Sequence, residues 1–290
     1  VSWKVYLAGF SVSTIFGLSF LFTKNSIEHV PVYTFLSYRF GVATIVLMLL
    51  AIFKIVKLSK KPYWKLWTVA IFQPILYFIF ETNGLKYATS SEAGMLIALI
   101  PIVITILSPM LLREKIRWYQ IVFAFLSFFG VTLIVGSGGI EGGAFLGKVL
   151  VLGAVFSAAL YNIASRKLLV EFTPVEITFF MMLTGFVFFT LLSVLTNQFR
   201  FVFHTTVVTG ALYLGVLSST VAFFLVNYML SKVSPTVSSL FSNLTTVISV
   251  LAGSFIRHEK IAILQVIGMI LILLSLLANS YLKGRENSMI

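Results

Sequence analysis

Arg39, in the pentapeptide SYRFG, lies about eight residues into an apolar run covering 31–54. A guanidinium with no partner is costly in hydrocarbon, so an intramembrane charge normally faces a cavity or another polar group. Glu81, in FIFETNG, lies about five residues from the end of a second run, 66–85. At a rise of 1.5 Å per helical residue their depths differ by only about 5 Å, which permits a pair. One reading makes them cavity charges or a gating pair. The plainer one makes them a structural pair, or lets the arginine snorkel to the outer headgroups. Glu92, in TSSEAGM, enters the next run near the same depth. It either lines an outer cavity or serves as a first-turn acid.

The remaining polar candidates are Asn162, Asn227, Asn243 and Gln73, each inside an apolar run and each needing a hydrogen-bond partner there. A neighbouring helix or a solute supplies it. Among the aromatic residues, Phe16, Tyr38, Tyr77, Phe80, Tyr161 and Tyr228 stand at mid-run or near the charged depth. They could line a pocket through ring stacking or cation–π contacts, with burial in lipid as the default. Pro74, Pro101 and Pro109 interrupt runs and bend whatever helix contains them.

These residues do not add up to an enzyme. No base, nucleophile and electrophile are placed together. There is no cysteine, and the histidines (His29, His204, His258) show no metal spacing, so neither a metal nor a cofactor is expected. No GxxxxGK[ST] sequence occurs, so ATP drive by this chain has no support.

The elements that must position these groups follow from composition. Of 290 residues, 59% are apolar and 10% charged, with a mean hydropathy of +1.04. A soluble domain carries about 25% charged residues. So few charges cannot cover the surface of a single core this large, and most of the chain has lipid as its solvent. The runs lie near 4–24, 31–54, 66–85, 91–112, 117–136, 147–168, 175–196, 206–230, 235–256 and 261–282. Each is long enough to cross about 30 Å of hydrocarbon as a helix. They are continuous and twice the length of barrel strands, which favours a helical bundle. The least distinct break is 85–90. The first run reads as a retained span, not a cleaved signal.

The net charge of +12 is that of a membrane protein with Lys and Arg in its cytoplasmic loops, and nucleic acid is not an expected partner. With the N-terminus inside, the inner breaks hold Lys4, Lys54, Lys57, Lys60, Lys61, Lys65, Arg113, Lys115, Arg117, Arg166, Lys167, Lys232, Lys283 and Arg285. The outer breaks hold Lys24, Lys86, Lys148, Arg200, Arg257 and Lys260. This bias places both termini in the cytoplasm.

The halves resemble each other. EKI occurs at 114–116 and 259–261, Gln120 and Gln265 follow, and Leu85 and Leu230 precede. EHVPV (28–32) aligns with EFTPV (171–175), and Gly9 with Gly153. The expected units are 1–143 and 144–290, each of five helices. Because five is odd, the second copy enters the membrane inverted, as in alternating-access carriers. Inheritance of a charged turn then explains why Arg257–Lys260 falls outside.

FGLSF (16–20) resembles the WGxxF signature of the EamA family of the drug/metabolite transporter superfamily, with Phe16 in place of tryptophan. YRF (38–40) is similar to its helix-two arginine signature, and the half-closing patterns GLKYATSSEAG and YMLSKVSPTVSS are similar too. The resemblance covers essentially the whole chain. It implies an all-α polytopic membrane protein of ten transmembrane helices, arranged as two inverted five-helix repeats around a central cavity. It further implies a secondary carrier for a small-molecule substrate, with an amino acid or related compound and export as the expected case. The expected surroundings are the lipid of a prokaryotic plasma (inner) membrane. Proton coupling through Glu81 is a hypothesis from its depth. A channel and a non-transporting structural or adaptor protein are the competing classes.

Overall fold

The computed structural model describes residues 3–112, 118–136, 143–239 and 241–287. The first EKI element, with Arg113 and Arg117 beside it, and the glycine-rich break at 137–142 lie outside the described residues. Helices account for nearly all the rest, and no strand occurs among the described residues. That follows from the solvent: lipid offers backbone N–H and C=O groups no partner, so each segment must satisfy its own.

Among the described residues the helical segments group, in chain order, as α1 (Trp3–Ile27), α2 (Val32–Ile52), α3 (63–84), α4 (90–112), α5 (Trp118–Gly136), α6 (Gly143–Leu168), α7 (Pro174–Leu195), α8 (Thr205–Lys232), α9 (Pro235–Arg257) and α10 (Ile263–Asn287). Among the described residues seven helices are long and apolar enough to cross a membrane, and shorter apolar stretches lie in α5 and α10. The indistinct break at 85–90 is real: α3 ends at Gly84, and Thr89 starts α4. Thr89 and Glu92 cap each other's backbone N–H groups at that start, as Thr173 and Glu176 do for α7.

The halves repeat in three dimensions. Lys54, after α2, and Asn197, after α7, both take left-handed φ values, 57° and 54°. The bonds around them match: Ile55 N and Val56 N donate to Leu50 O, while Gln198 N and Phe199 N donate to Ser193 O. These are equivalent helix ends 143 positions apart.

Packing obeys the same exchange. The α1 helix packs on α8 and α9, as α6 packs on α3 and α4, while α2 pairs with α7 and α5 with α10. The α2–α7 pair is antiparallel: Thr34 meets Ser193, Ser37 meets Thr190, and Phe40 meets Phe189. A helix antiparallel to its own counterpart is the mark of inverted repeats.

Lipid supplies no hydrophobic drive between helices, so close approach matters. On α5 and α10, a Cβ on Gly130 would stand 2.7 Å from the Gly268 carbonyl oxygen, and one on Gly268 would stand 2.4 Å from that of Gly130. Only a bare Cα permits this crossing.

Four helices are broken or widened along their length. In α3, Gln73 leaves helical geometry (φ −148°, ψ 117°) just before Pro74. In α8, residues Tyr213–Ala222 form wide, π-type turns. The α4 helix interrupts between Ile97 and Ile100, and α9 likewise consists of two pieces, Pro235–Ser239 and Ser242–Arg257. The carbonyls at two of these breaks find serine hydroxyls on neighbouring helices. Ser157 donates to Phe72 O at 2.9 Å, and Ser13 donates to Phe241 O at 2.7 Å. Ser13 and Ser157 are themselves 144 positions apart.

Candidate functional site

The interrupted stretches converge on one central cavity. It is lined from α3 by Gln73, Tyr77, Phe78 and Glu81, from α4 by Ile97 and Ile100, from α8 by Phe223, Val226 and Met229, and from α9 by Ser238, Ser239, Phe241, Ser242 and Thr245. The α1 helix adds Phe16 and Ser19, α2 adds Arg39, and α6 adds Ala158, Tyr161 and Asn162. The atom-free space is about 800 Å³, its mouth included.

Arg39 is 2% exposed. Its Nε donates to Ser219 Oγ at 2.9 Å and its Nη2 to Ser218 Oγ at 2.9 Å. The guanidinium also lies 4.4 Å from the centre of the Phe78 ring. Gly215 makes this reach short, because a side chain there would meet Val42 and stand 2.9 Å from the Arg39 carbonyl. The wide turns of α8 therefore do two things: they bring its backbone onto α2 and turn two adjacent serines toward one arginine. Such bulges recur at functional sites.

Glu81 is equally buried and accepts from Thr82 Oγ1 at 2.6 Å. It forms no ion pair with Arg39; both charges line the same cavity. Asn162 donates to Ala158 O at 2.7 Å and lines the cavity between them and α9. Phe16, Gln73, Tyr77 and Tyr161 join Arg39, Glu81 and Asn162 there, so seven of the candidates named from the sequence meet in one place.

Glu92, Tyr38, Asn227, Asn243, Phe80 and Tyr228 do not line it. Glu92 caps α4 and is engaged by Lys148 at 3.1 Å and by Gln265 Nε2 at 2.8 Å, joining α4, α6 and α10 away from the cavity. Lys148, expected in an outer break, is a correction: it is 0% exposed and sits inside α6. Tyr38 donates to Arg200 O and accepts from Val202 N at 3.2 Å, fastening the α7–α8 connection to α2. Asn227 accepts from Tyr161 OH at 3.0 Å and Ser165 Oγ at 2.6 Å, and donates to Thr178 Oγ1 at 3.0 Å. That network binds α6, α7 and α8. Asn243 Oδ1 is buried without a hydrogen-bond partner among the described residues, outside the cavity lining.

Sequence reasoning missed Ser218 and Ser219, which look like ordinary small packing residues. It also left the α9 serines out of the site. The signal available was the paired serine at 218–219 inside an apolar run.

One end of the bundle is laced shut. Lys24 donates to the carbonyls of Leu85 and Ala88, and Arg257 reaches Asn25 and Glu28, the latter at 2.6 Å. Glu259, from the second EKI, accepts from the N–H and hydroxyl groups of both Ser90 and Ser91, at 2.6–3.0 Å. Burial raises its pKa, but the bonds from Ser91 and Ser90 outweigh that and hold it below the ordinary carboxylate range. The cavity lining instead extends toward the opposite end, through Met229, Ser238 and Phe241.

Comparison with known proteins agrees with this architecture. The model of the EamA-like transporter family matches residues 3–136 and 145–281. A Bacillus subtilis (strain 168) protein named uncharacterized transporter YcxC is 33% identical over 290 residues, covering 95% of this chain and 92% of that one. An uncharacterized transporter of Archaeoglobus fulgidus is 28% identical over 265 residues, covering 91% and 94%. A crystal structure sharing 20% identity superposes with a TM-score of 0.74 over 98% of this chain and 99% of that chain, a likeness of fold. With both halves matched by the family model, the chain belongs to the EamA-like transporter family and is an integral membrane transporter.

Proposed function

We propose that this chain carries a small zwitterionic metabolite, an amino acid or related compound, out of a prokaryotic cell by alternating access. The observation that carries the reading is one cavity holding a buried arginine, Arg39, and a buried glutamic side chain, Glu81, between aromatic walls. A carboxylate on the solute suits the arginine fork, an ammonium suits Glu81, and Phe16, Tyr77 and Phe223 suit an apolar side chain.

The moving units are the two halves, 1–143 and 144–290, rocking about the cavity as ten spans with both termini cytoplasmic. In that orientation the laced end is external and the cavity faces inward. Opening outward separates Arg257 from Glu28 and Lys24 from the end of α3. Glu81 is the proposed proton-coupled group. The chain moves its solute without transforming it.

Saturable counterflow of labelled amino acids in proteoliposomes tests the reading. Exchange that saturates, and that is lost in Arg39→Gln, is the expected result. Single-channel conductance, or no flux of any amino acid, would overturn it. Equal concentrative uptake and equal rates with and without a pH gradient would remove the proton from the scheme.

A further inference from the structure

Outside the cavity, the α2–α3 connection forms a second concave site. Leu58, Ser59, Lys60, Lys61, Pro62 and Tyr63 face Phe179, Phe180 and Leu183 of α7 across an open groove. One wall is apolar and the rim is basic.

The groove is held in shape. The Glu176 carboxylate accepts from Ser59 N at 3.0 Å, from Lys61 Nζ at 2.8 Å and from Thr173 N at 2.8 Å. Lys61 also donates to Glu171 O, and Lys65 pairs with Glu171 at 2.7 Å. The Tyr63 ring stacks on Phe180, and Trp67 meets Phe180 edge-on. Lys61 and Lys65 are thus satisfied by protein. Lys54, Lys57 and Lys60 are exposed and make no ion pair among the described residues.

The surroundings set the depth. Ile52, Phe53 and Ile55 are exposed apolar residues on the same connection, and Trp64 is 70% exposed beside it. Tryptophan and tyrosine mark the headgroup level of a bilayer. Lys60 lines the groove and Lys57 precedes it by three residues on the same connection, at the level where lipid phosphates lie, and from Lys60 the groove runs onto α7.

From this we infer that the groove between residues 58–63 and α7 binds one anionic phospholipid, its phosphate at Lys57 and Lys60 and an acyl chain against Phe179, Phe180 and Leu183. Charge complementarity selects the occupant. A headgroup with its own ammonium would set a cation among three unpaired lysines, whereas phosphatidylglycerol carries a net negative charge and an uncharged head. The site is remote from the transport cavity and does not depend on which solute is carried.

The test is native mass spectrometry of the protein released from nanodiscs of phosphatidylcholine containing phosphatidylglycerol. One retained phosphatidylglycerol per chain is expected, not displaced by inorganic phosphate. Lys57→Gln/Lys60→Gln should weaken retention roughly 25-fold, at about fivefold per lysine. Leu183→Trp, which fills the groove, should abolish it, while Lys232→Gln, another basic position, should leave it unchanged. Retention unaltered by the lysine pair overturns the inference. So does retention that survives Leu183→Trp, because charge alone would then hold the lipid. Displacement by inorganic phosphate overturns it as well.

Discussion

Arg39 Nε donates to Ser219 Oγ across 2.9 Å, and with the companion bond to Ser218 this fixes the buried guanidinium to α8 without an ion pair to Glu81. Glu81 accepts instead from Thr82 Oγ1, and both groups line the cavity. A direct Arg39–Glu81 pair would have neutralised both.

Removing both hydroxyls therefore strips a buried charge of its acceptors. Ser218→Ala/Ser219→Ala should lower stability by about 1.5–3 kcal/mol for each bond lost. Arg39→Lys should fail to restore solute affinity, because an ammonium cannot span both serines and the cavity as the planar fork does. Thermal unfolding in detergent and counterflow titration measure the two effects.

Asn162 and Asn227 should separate function from structure. Asn227→Ala leaves the hydroxyls of Tyr161, Ser165 and Thr178 short of a partner, at a cost of about 1–3 kcal/mol, with solute affinity in the surviving folded protein close to wild type. Asn162→Ala removes only a bond to its own helix and should weaken solute affinity with little loss of stability. Equal effects of the two on affinity would remove Asn162 from the binding surface.

The Glu259 link gives a pH dependence of known sign. Its folded pKa lies below the ordinary value of 4.5. Its contribution to stability is therefore complete above that value and fades as pH falls through the lower folded one. Unfolding midpoints of wild type should drop on acidification more steeply than those of Glu259→Gln, with the difference confined to the acid side of pH 4.5. Parallel curves would contradict the depressed pKa.

Lys148→Met should leave Glu92 buried without its cation, at a cost of about 3–5 kcal/mol. Adding Glu92→Gln should cost less than the sum of the two single changes, since the groups are in contact. A double-mutant cycle read by thermal unfolding checks this.

Much of the bundle was legible because lipid makes hydrophobic runs long and loops short. The repeat was legible from EHVPV and EFTPV, whereas the break before α4 was the least distinct in the sequence. The azimuth of a helical residue was not legible. Glu92 and Arg39 have similar depths, yet one faces α6 and α10 and the other faces the cavity; a half-turn separates such outcomes, and depth arithmetic carries no rotation. Arg39's true partners were hidden for a related reason. Ser218 and Ser219 reach it through wide turns that no proline announces, whereas Pro74 did mark the break beside Gln73.

At Gly130 and Gly268, each backbone occupies the space where the other residue's first side-chain atom would stand. A substitution at one cannot be absorbed by shrinking the other, which is already as small as a residue gets. The spacing of α5 and α10 is thus set at this crossing by the two backbones themselves. Any lineage that widens it must re-space both helices at once.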